Sequence, residues 1–202
     1  MRARLGLLVA KQTVNLRAIV LKHKPLEMLQ ASPKGEVPVL VLSDSSVIDE
    51  SLEIMQWALT QSDPDNLLYS DQANTHTAMF DLIHTNDTEF KIWLEKYKYA
   101  KRYHETSKSY YRQQCELFVL QLEQRLKVHA YFMGDTPSLA DYAILPFIRQ
   151  FSRVERSWYL QAPYPYLQSW LTAHLQSRLF SKAMTKYPLW LETHESFLFG
   201  GK

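Results

Sequence analysis

The chain has 202 residues, 46% hydrophobic and 22% charged, an ordinary globular composition with room for one large domain or two small ones. A net charge of +2 gives no electrostatic reason to expect a nucleic-acid or acidic partner. The single cysteine, Cys115, excludes an intrachain disulfide framework and fits a reducing compartment. Taken in order, residues 2–12 carry Ala3, Leu5, Leu7, Leu8, Val9 and Ala10, a short apolar helix or, less simply, a strand. Arg2 and Arg4 precede an apolar stretch too short for a secretory leader, and Lys11-Gln12 ends it without a cleavage site. No run approaches the roughly 18 apolar residues of a spanning helix, so a cytoplasmic protein without a membrane partner is expected.

The segment "NLRAIVLK" at 15–22 is β-branched and apolar and reads as a strand. "PLEMLQAS" at 25–32 reads as a short helix with Pro25 at its first position. Two strands follow, Val37–Leu42 and Val47–Asp49, separated by the polar turn Ser43-Asp44-Ser45-Ser46. "SLEIMQWALTQ" from Ser51 reads as a helix. This order makes a small α/β domain over 1–62, and the turn-rich "SDPDN" at 62–66 makes a linker.

An all-helical domain is expected over 67–202, with helices near 72–99, 106–128, 138–154, 164–175 and 177–186. One helix start is sharply marked. In "DTPSLADYAILPFIRQF", Ser138 is the N-cap and Asp141 stands three residues on, a capping box with aspartate in place of glutamate. Pro146 inside that helix predicts a kink.

Other features carry less chemistry. Cys115 falls mid-helix in "YYRQQCELFVLQLEQ", with no helix N-terminus to activate it, and reads as a buried structural cysteine. The seven histidines show no metal-ligand spacing, and there is no glycine-rich phosphate loop or nucleophile elbow. The basic, aromatic "KYKYAKRYHETSKSYYRQQ" could be a nucleic-acid stripe or a solvated helix end. Net charge favours the second, and no nucleic-acid partner is expected.

Together, "LKHKPLEMLQASPKGEVPVLVL", "VIDES" and "SLADYAILP" resemble the glutathione transferases, and "NDTEFKIWLEKYKYAKRY" looks like the first helices of the second domain in bacterial members near the cysteine-type, omega-like classes. The resemblance covers nearly the whole chain. It implies a thioredoxin-like first domain, an all-α second domain, glutathione as co-substrate, a small hydrophobic or thiol/disulfide second substrate, and a homodimer. Read alone, Pro38 is a trans proline at an edge strand. Within the motif it becomes a cis Val37-Pro38 bond that leaves the Val37 backbone free to pair with an extended peptide.

By the same resemblance, Ser51 opens a helix whose N-terminus holds the γ-glutamyl carboxylate, and Glu50 accepts from the γ-glutamyl ammonium. Read without it, the pair is a plain helix cap. Lys24 is implied to pair with the glycyl carboxylate, with Lys22 and Lys34 as lesser substitutes and a solvated lysine as the alternative. Phe90, Trp93 and Tyr97 share a helix face by spacing and are candidates to line the co-substrate pocket or, equally, to be core at the interface between the domains.

Family members carry a first strand and a catalytic cysteine, serine or tyrosine ahead of "MRAR". The resemblance therefore implies that both are absent from the numbered chain and that Met1 is an internal methionine. The DNA upstream of the Met1 codon tests this. No catalytic residue is assigned. Two readings result: a transferase performing thiol transfer or conjugation, or a non-enzymatic interaction module of the same fold, as in the stringent-starvation relatives.

Overall fold

The computed structural model describes residues 1–100 and 108–201. Its contacts divide into two compact units, Met1–Asp65 together with Arg178–Lys202, and Asn66–Ser177. The break after the first α/β segment falls in the expected linker. Residues from Arg178 onward, expected in the helical domain, group with the first unit.

In the first unit, α1 (Arg2–Val9) is enclosed by its unit and buries Ala3, Leu5, Leu7 and Val9. It lies on α3 (Ser51–Gln61), which contributes Ile54, Met55, Ala58 and Leu59. Gly6 permits the approach, since a Cβ there would stand 2.8 Å from the Met55 Cα. Between these helices in sequence come β1 (Val14–Leu16), α2 (Leu26–Ala31), β2 (Leu40–Val41) and β3 (Val47–Ile48). Strands β2 and β3 form an antiparallel hairpin with Leu40 opposite Ile48 and Val41 opposite Val47. The strands are shorter than the sequence suggests, and Pro25 stands at the N-cap of α2, one position before the expected first turn.

The partner of β1 is a strand that the sequence did not announce. Phe197–Phe199, here β4, pairs antiparallel with β1, Val14 facing Phe199 and Leu16 facing Phe197. Past this ladder Ala18 makes a single parallel bridge to Leu189. Ahead of it, α10 (Arg178–Ala183) packs on α1, and a short helix α11 spans Trp190–Thr193. Arg4 ties the two chain ends together. Its Nη1 donates to the carbonyls of Ala183 (3.2 Å) and Thr185 (2.8 Å), and its guanidinium sits 5.5 Å from the ring centres of Tyr187 and Phe199. Arg17 lies over Trp190 at 4.0 Å, within cation–π range. Gly200 follows β4 at φ +92, and a Cβ there would collide with the Gln12 carbonyl oxygen.

The second unit is helical: α4 (Ala73–Thr85), a π-helical turn over Asn86–Phe90, α5 (Lys91–Tyr99), α6 (Lys108–Val128), α7 (Leu139–Val154), α8 (Arg156–Gln161) and α9 (Pro165–Gln176). The single helix expected near 72–99 is thus interrupted by the π turn, and α8 was not foreseen. Residues 101–107, which hold part of the basic aromatic stretch, lie outside the described residues. The core is a ring cluster in which Phe90 meets Phe118 and Phe151, and Tyr97 also meets Phe151.

The capping box forms as expected. Asp141 Oδ2 accepts from the Ser138 backbone N–H (2.9 Å) and hydroxyl (2.6 Å). Its Oδ1 accepts from the Phe132 N–H (3.2 Å) and Trp170 Nε1 (2.9 Å), so one carboxylate joins α7, α9 and the turn before them. Pro146 lies inside α7. Glu123 does comparable work for α9, accepting from the N–H groups of Tyr166 (3.2 Å) and Leu167 (2.8 Å) at the helix start.

His174, on α9, is buried among the rings of Tyr131, Tyr142 and Trp170. Burial disfavours the imidazolium and lowers its pKa to about 4. The unfolded chain, with an ordinary histidine, takes up this proton at a higher pH than the fold does. The contribution is therefore complete above about pH 6.5 and is lost as pH falls toward 4, by roughly 1 kcal/mol per pH unit. In urea titrations at several pH values, His174→Gln is expected to flatten that part of the stability profile. A variant profile parallel to the wild type between pH 4.5 and 6.5 would sink the assignment.

Candidate functional site

The β2–β3 hairpin organises the first unit's candidate site. The ladder ends with Leu40 opposite Ile48, so Val37-Pro38, just before β2, and Glu50-Ser51, just after β3, leave the hairpin at the same end. Two segments far apart in sequence are thereby delivered to one end of the hairpin. The Val37-Pro38 peptide bond is cis, as the motif implied, and Val37 is half exposed. Ser51 is the first residue of α3, and Glu50 is its extended N-cap at φ −106, ψ 129. The N-cap Glu50 makes no side-chain cap bond, in contrast to the acceptors Asp141 and Glu123 at the starts of α7 and α9.

Around that helix start runs a chain of polar contacts. The Ser32 hydroxyl, buried with its residue, donates to Asp49 Oδ2 at 2.7 Å. Lys34 Nζ donates to Asp49 Oδ1 and Glu50 Oε1, both at 3.0 Å. The hydrogen bond from Ser32 and then that from Lys34 hold the Asp49 carboxyl below the usual carboxylate range. Bonds to Asp49 and Glu50 in turn push the Lys34 ammonium pKa up. Lys34 was the lesser candidate in the sequence reading. Its engagement with Glu50 was not visible there, because sixteen residues separate the two and only hairpin closure joins them.

Lys24, the stronger sequence candidate, is exposed and extends over the same loop. Its Nζ lies 3.0 Å from where a Cβ on Gly35 would stand, and Gly35 has φ +60. An L side chain at 35 would be strained and would displace Lys24. The five residues Lys24, Val37, Pro38, Glu50 and Ser51 thus all belong to the first unit.

The proposed co-substrate residues do not form a comparable opening. Phe90 is 1% exposed and Tyr97 0%, both enclosed in the core of the helical unit. The Tyr97 hydroxyl donates to Glu155 at 2.7 Å, and Glu155 also receives Arg112 at 2.9 Å and Lys108 at 3.3 Å. Trp93 alone of the three reaches the surface, beside Tyr110, Tyr111 and the Lys96 ammonium. Phe90 and Tyr97 both meet Phe151 and are core, whereas Trp93 meets Tyr110 and Tyr111 instead. Several cations of the basic aromatic stretch are engaged within the unit: Lys98 with Glu95, and Lys108 and Arg112 with Glu155.

Cys115 is fully buried on α6, and burial pushes its thiol up to about 12, so it is no thiolate at neutral pH. Among the described residues, no group of three or more His, Cys, Asp or Glu side chains could hold a metal ion. None of the described helices is long and apolar enough to cross a membrane.

A thioredoxin-like α/β unit with few strands, bearing its polar cluster at an open helix start and joined in one chain to an all-helical unit, is the glutathione transferase fold. Residues 1–66 match the family model of the glutathione S-transferase N-terminal domain, and residues 111–173 match that of its C-terminal domain. Together the two matches span more than half of the sequence, and the chain belongs to the glutathione transferase family.

Solved structures agree in fold. A glutathione S-transferase-I bound with lactoylglutathione is 20% identical with a TM-score of 0.74, covering 90% of this chain and 91% of its own. BphK, a bacterial transferase in a ternary complex, is 20% identical with a TM-score of 0.72 and coverage of 91% and 92%. The transferase URE2P6 from Phanerochaete chrysosporium, in complex with oxidized glutathione, is 16% identical with a TM-score of 0.76 and coverage of 90% and 88%. No curated protein sequence gives a significant match.

Proposed function

We propose that the first unit binds glutathione at the hairpin end and helix start formed by Val37, Pro38, Glu50 and Ser51, with Lys24 on the glycyl carboxylate. What supports this is the end of the β2–β3 ladder at Leu40 and Ile48, since the Val37-Pro38 segment and the start of α3 leave the hairpin at that same end. Such a helix start favours an anion through its free N–H groups and dipole, while Glu50 beside it favours an ammonium. The γ-glutamyl end of glutathione carries both charges on one carbon. Neighbouring structures of this fold that hold glutathione derivatives support the choice of ligand.

The reaction we assign is transfer of the glutathione thiol to a disulfide or its conjugation to a small electrophile, by a cytoplasmic homodimer of the cysteine-type, omega-like kind. The bound thiol itself would be the nucleophile in conjugation, and Cys115, buried in the helical unit, is given no part in it. The second reading is a non-enzymatic interaction module of the same fold, with which the burial of Cys115 agrees equally. Assay against a glutathione mixed disulfide separates the two: turnover supports the enzyme, and binding without turnover supports the module.

Binding itself is tested on immobilised glutathione. Glu50→Ala and Ser51→Ala are each expected to weaken retention about tenfold, the order of a charge-assisted hydrogen bond. Unchanged retention of both variants would overturn the site.

A further inference from the structure

The Lys34 contacts have a consequence for specificity at this site, and it rests on the glutathione-binding reading. The ammonium of Lys34 lies 3.0 Å from both Asp49 and Glu50 and thus stands where a ligand cation at Glu50 would have to stand. Asp49 is fixed from its other oxygen by the buried Ser32 hydroxyl, so the acidic pair is held in place with its cation. Lys34 itself is half exposed, on a side chain with many rotamers, and can leave Glu50 at small cost while it keeps Asp49.

We infer that Lys34 is a specificity-determining residue: a built-in counter-cation that competes with the ligand ammonium for Glu50 and weakens the site's preference for ammonium-bearing thiols. In the free protein Glu50 is already neutralised, so a ligand ammonium gains only what Lys34 gives up. With Lys34 removed, Asp49 and Glu50 present two uncompensated carboxylates, and a cation gains more there. An uncharged group at the same place gains nothing. The effect therefore appears as a ratio of two affinities, in which changes common to both ligands cancel.

The test uses the full chain with two probes, glutathione and N-glutaryl-cysteinylglycine, which is glutathione without its ammonium. Dissociation constants are measured by calorimetry for the wild type, Lys34→Gln and Lys34→Arg. The preference for glutathione over the deaminated probe is expected to rise about two- to fivefold in Lys34→Gln, the scale of one partly exposed ion pair. Lys34→Arg is expected to keep the wild-type preference. An unchanged or reduced preference in Lys34→Gln, with glutathione still binding to the wild type, overturns the competition and leaves the glutathione site standing. Absence of wild-type binding to either probe overturns the site and, with it, the role of Lys34.

Discussion

Asp141→Ala is expected to cost about 3–5 kcal/mol of stability, the range for stripping one partner from a buried polar network. The carboxylate is 0% exposed and accepts four hydrogen bonds, two from Ser138, one from the Phe132 backbone and one from the Trp170 indole. Alanine leaves two backbone N–H groups and the indole N–H in the core with no acceptor. Each orphaned donor carries a penalty of about 1–3 kcal/mol. Loss of the N-cap partner also frees the first turn of α7, the helix that buries the most side chains in the second unit. Asp141→Asn should fall between: its one carbonyl oxygen accepts two of the four bonds, while its NH2 group faces donors. Urea unfolding followed by tryptophan fluorescence reads the effect directly, since Trp170 is one of the donors. A loss below about 1 kcal/mol for Asp141→Ala would show that the surrounding groups find other partners.

The second large effect is expected at Gly6, where Gly6→Val should lower stability by about 3 kcal/mol, at the upper end of ordinary overpacking costs. The first side-chain carbon would stand 2.8 Å from both the Cα and the Cγ of Met55. Met55 is fully buried, and its Cα is backbone, so a rotamer change cannot relieve both contacts. Helices α1 and α3 would have to separate, opening the layer formed by Leu5, Ile54 and Ala58. Because α3 begins at Ser51, displacement of α3 should also weaken glutathione retention. Gly6→Ala is expected to show the same trend at smaller size, part of its strain being offset by roughly 1 kcal/mol of helix propensity. A thermal midpoint for Gly6→Val equal to that of the wild type would refute the close contact.

The elements legible beforehand were those whose signals lie within a few residues. The apolar run of α1, the helix from Ser51 and the Ser138–Asp141 box each depend on local periodicity or capping chemistry, and each formed where expected. The cis Val37-Pro38 bond came from a motif rather than from periodicity, and it too is present. The candidate site was partly legible in the same way, through Glu50 and Ser51 flanking a helix start. Phe90, Trp93 and Tyr97 show the limit. Helical spacing says which side chains share a face, but it cannot say whether that face meets solvent or the unit's own aromatic core.

By itself, then, the sequence determined a small α/β segment followed by a run of helices, with the cis bond and the Ser51 helix start in the first and the capping box in the second. These are properties of short stretches whose backbone preferences agree with their hydrophobic pattern. Tertiary structure decided the rest. It drew Phe197–Phe199 back to pair with Val14–Leu16, seated Arg4 against Ala183 and Thr185, and set Lys34 between Asp49 and Glu50. Every one of these contacts joins residues more than a dozen positions apart. A strand of three residues, or a lysine in a loop, carries too little local preference to announce its partner. The partner is chosen only when the whole unit closes and leaves unpaired backbone groups and charges to be satisfied.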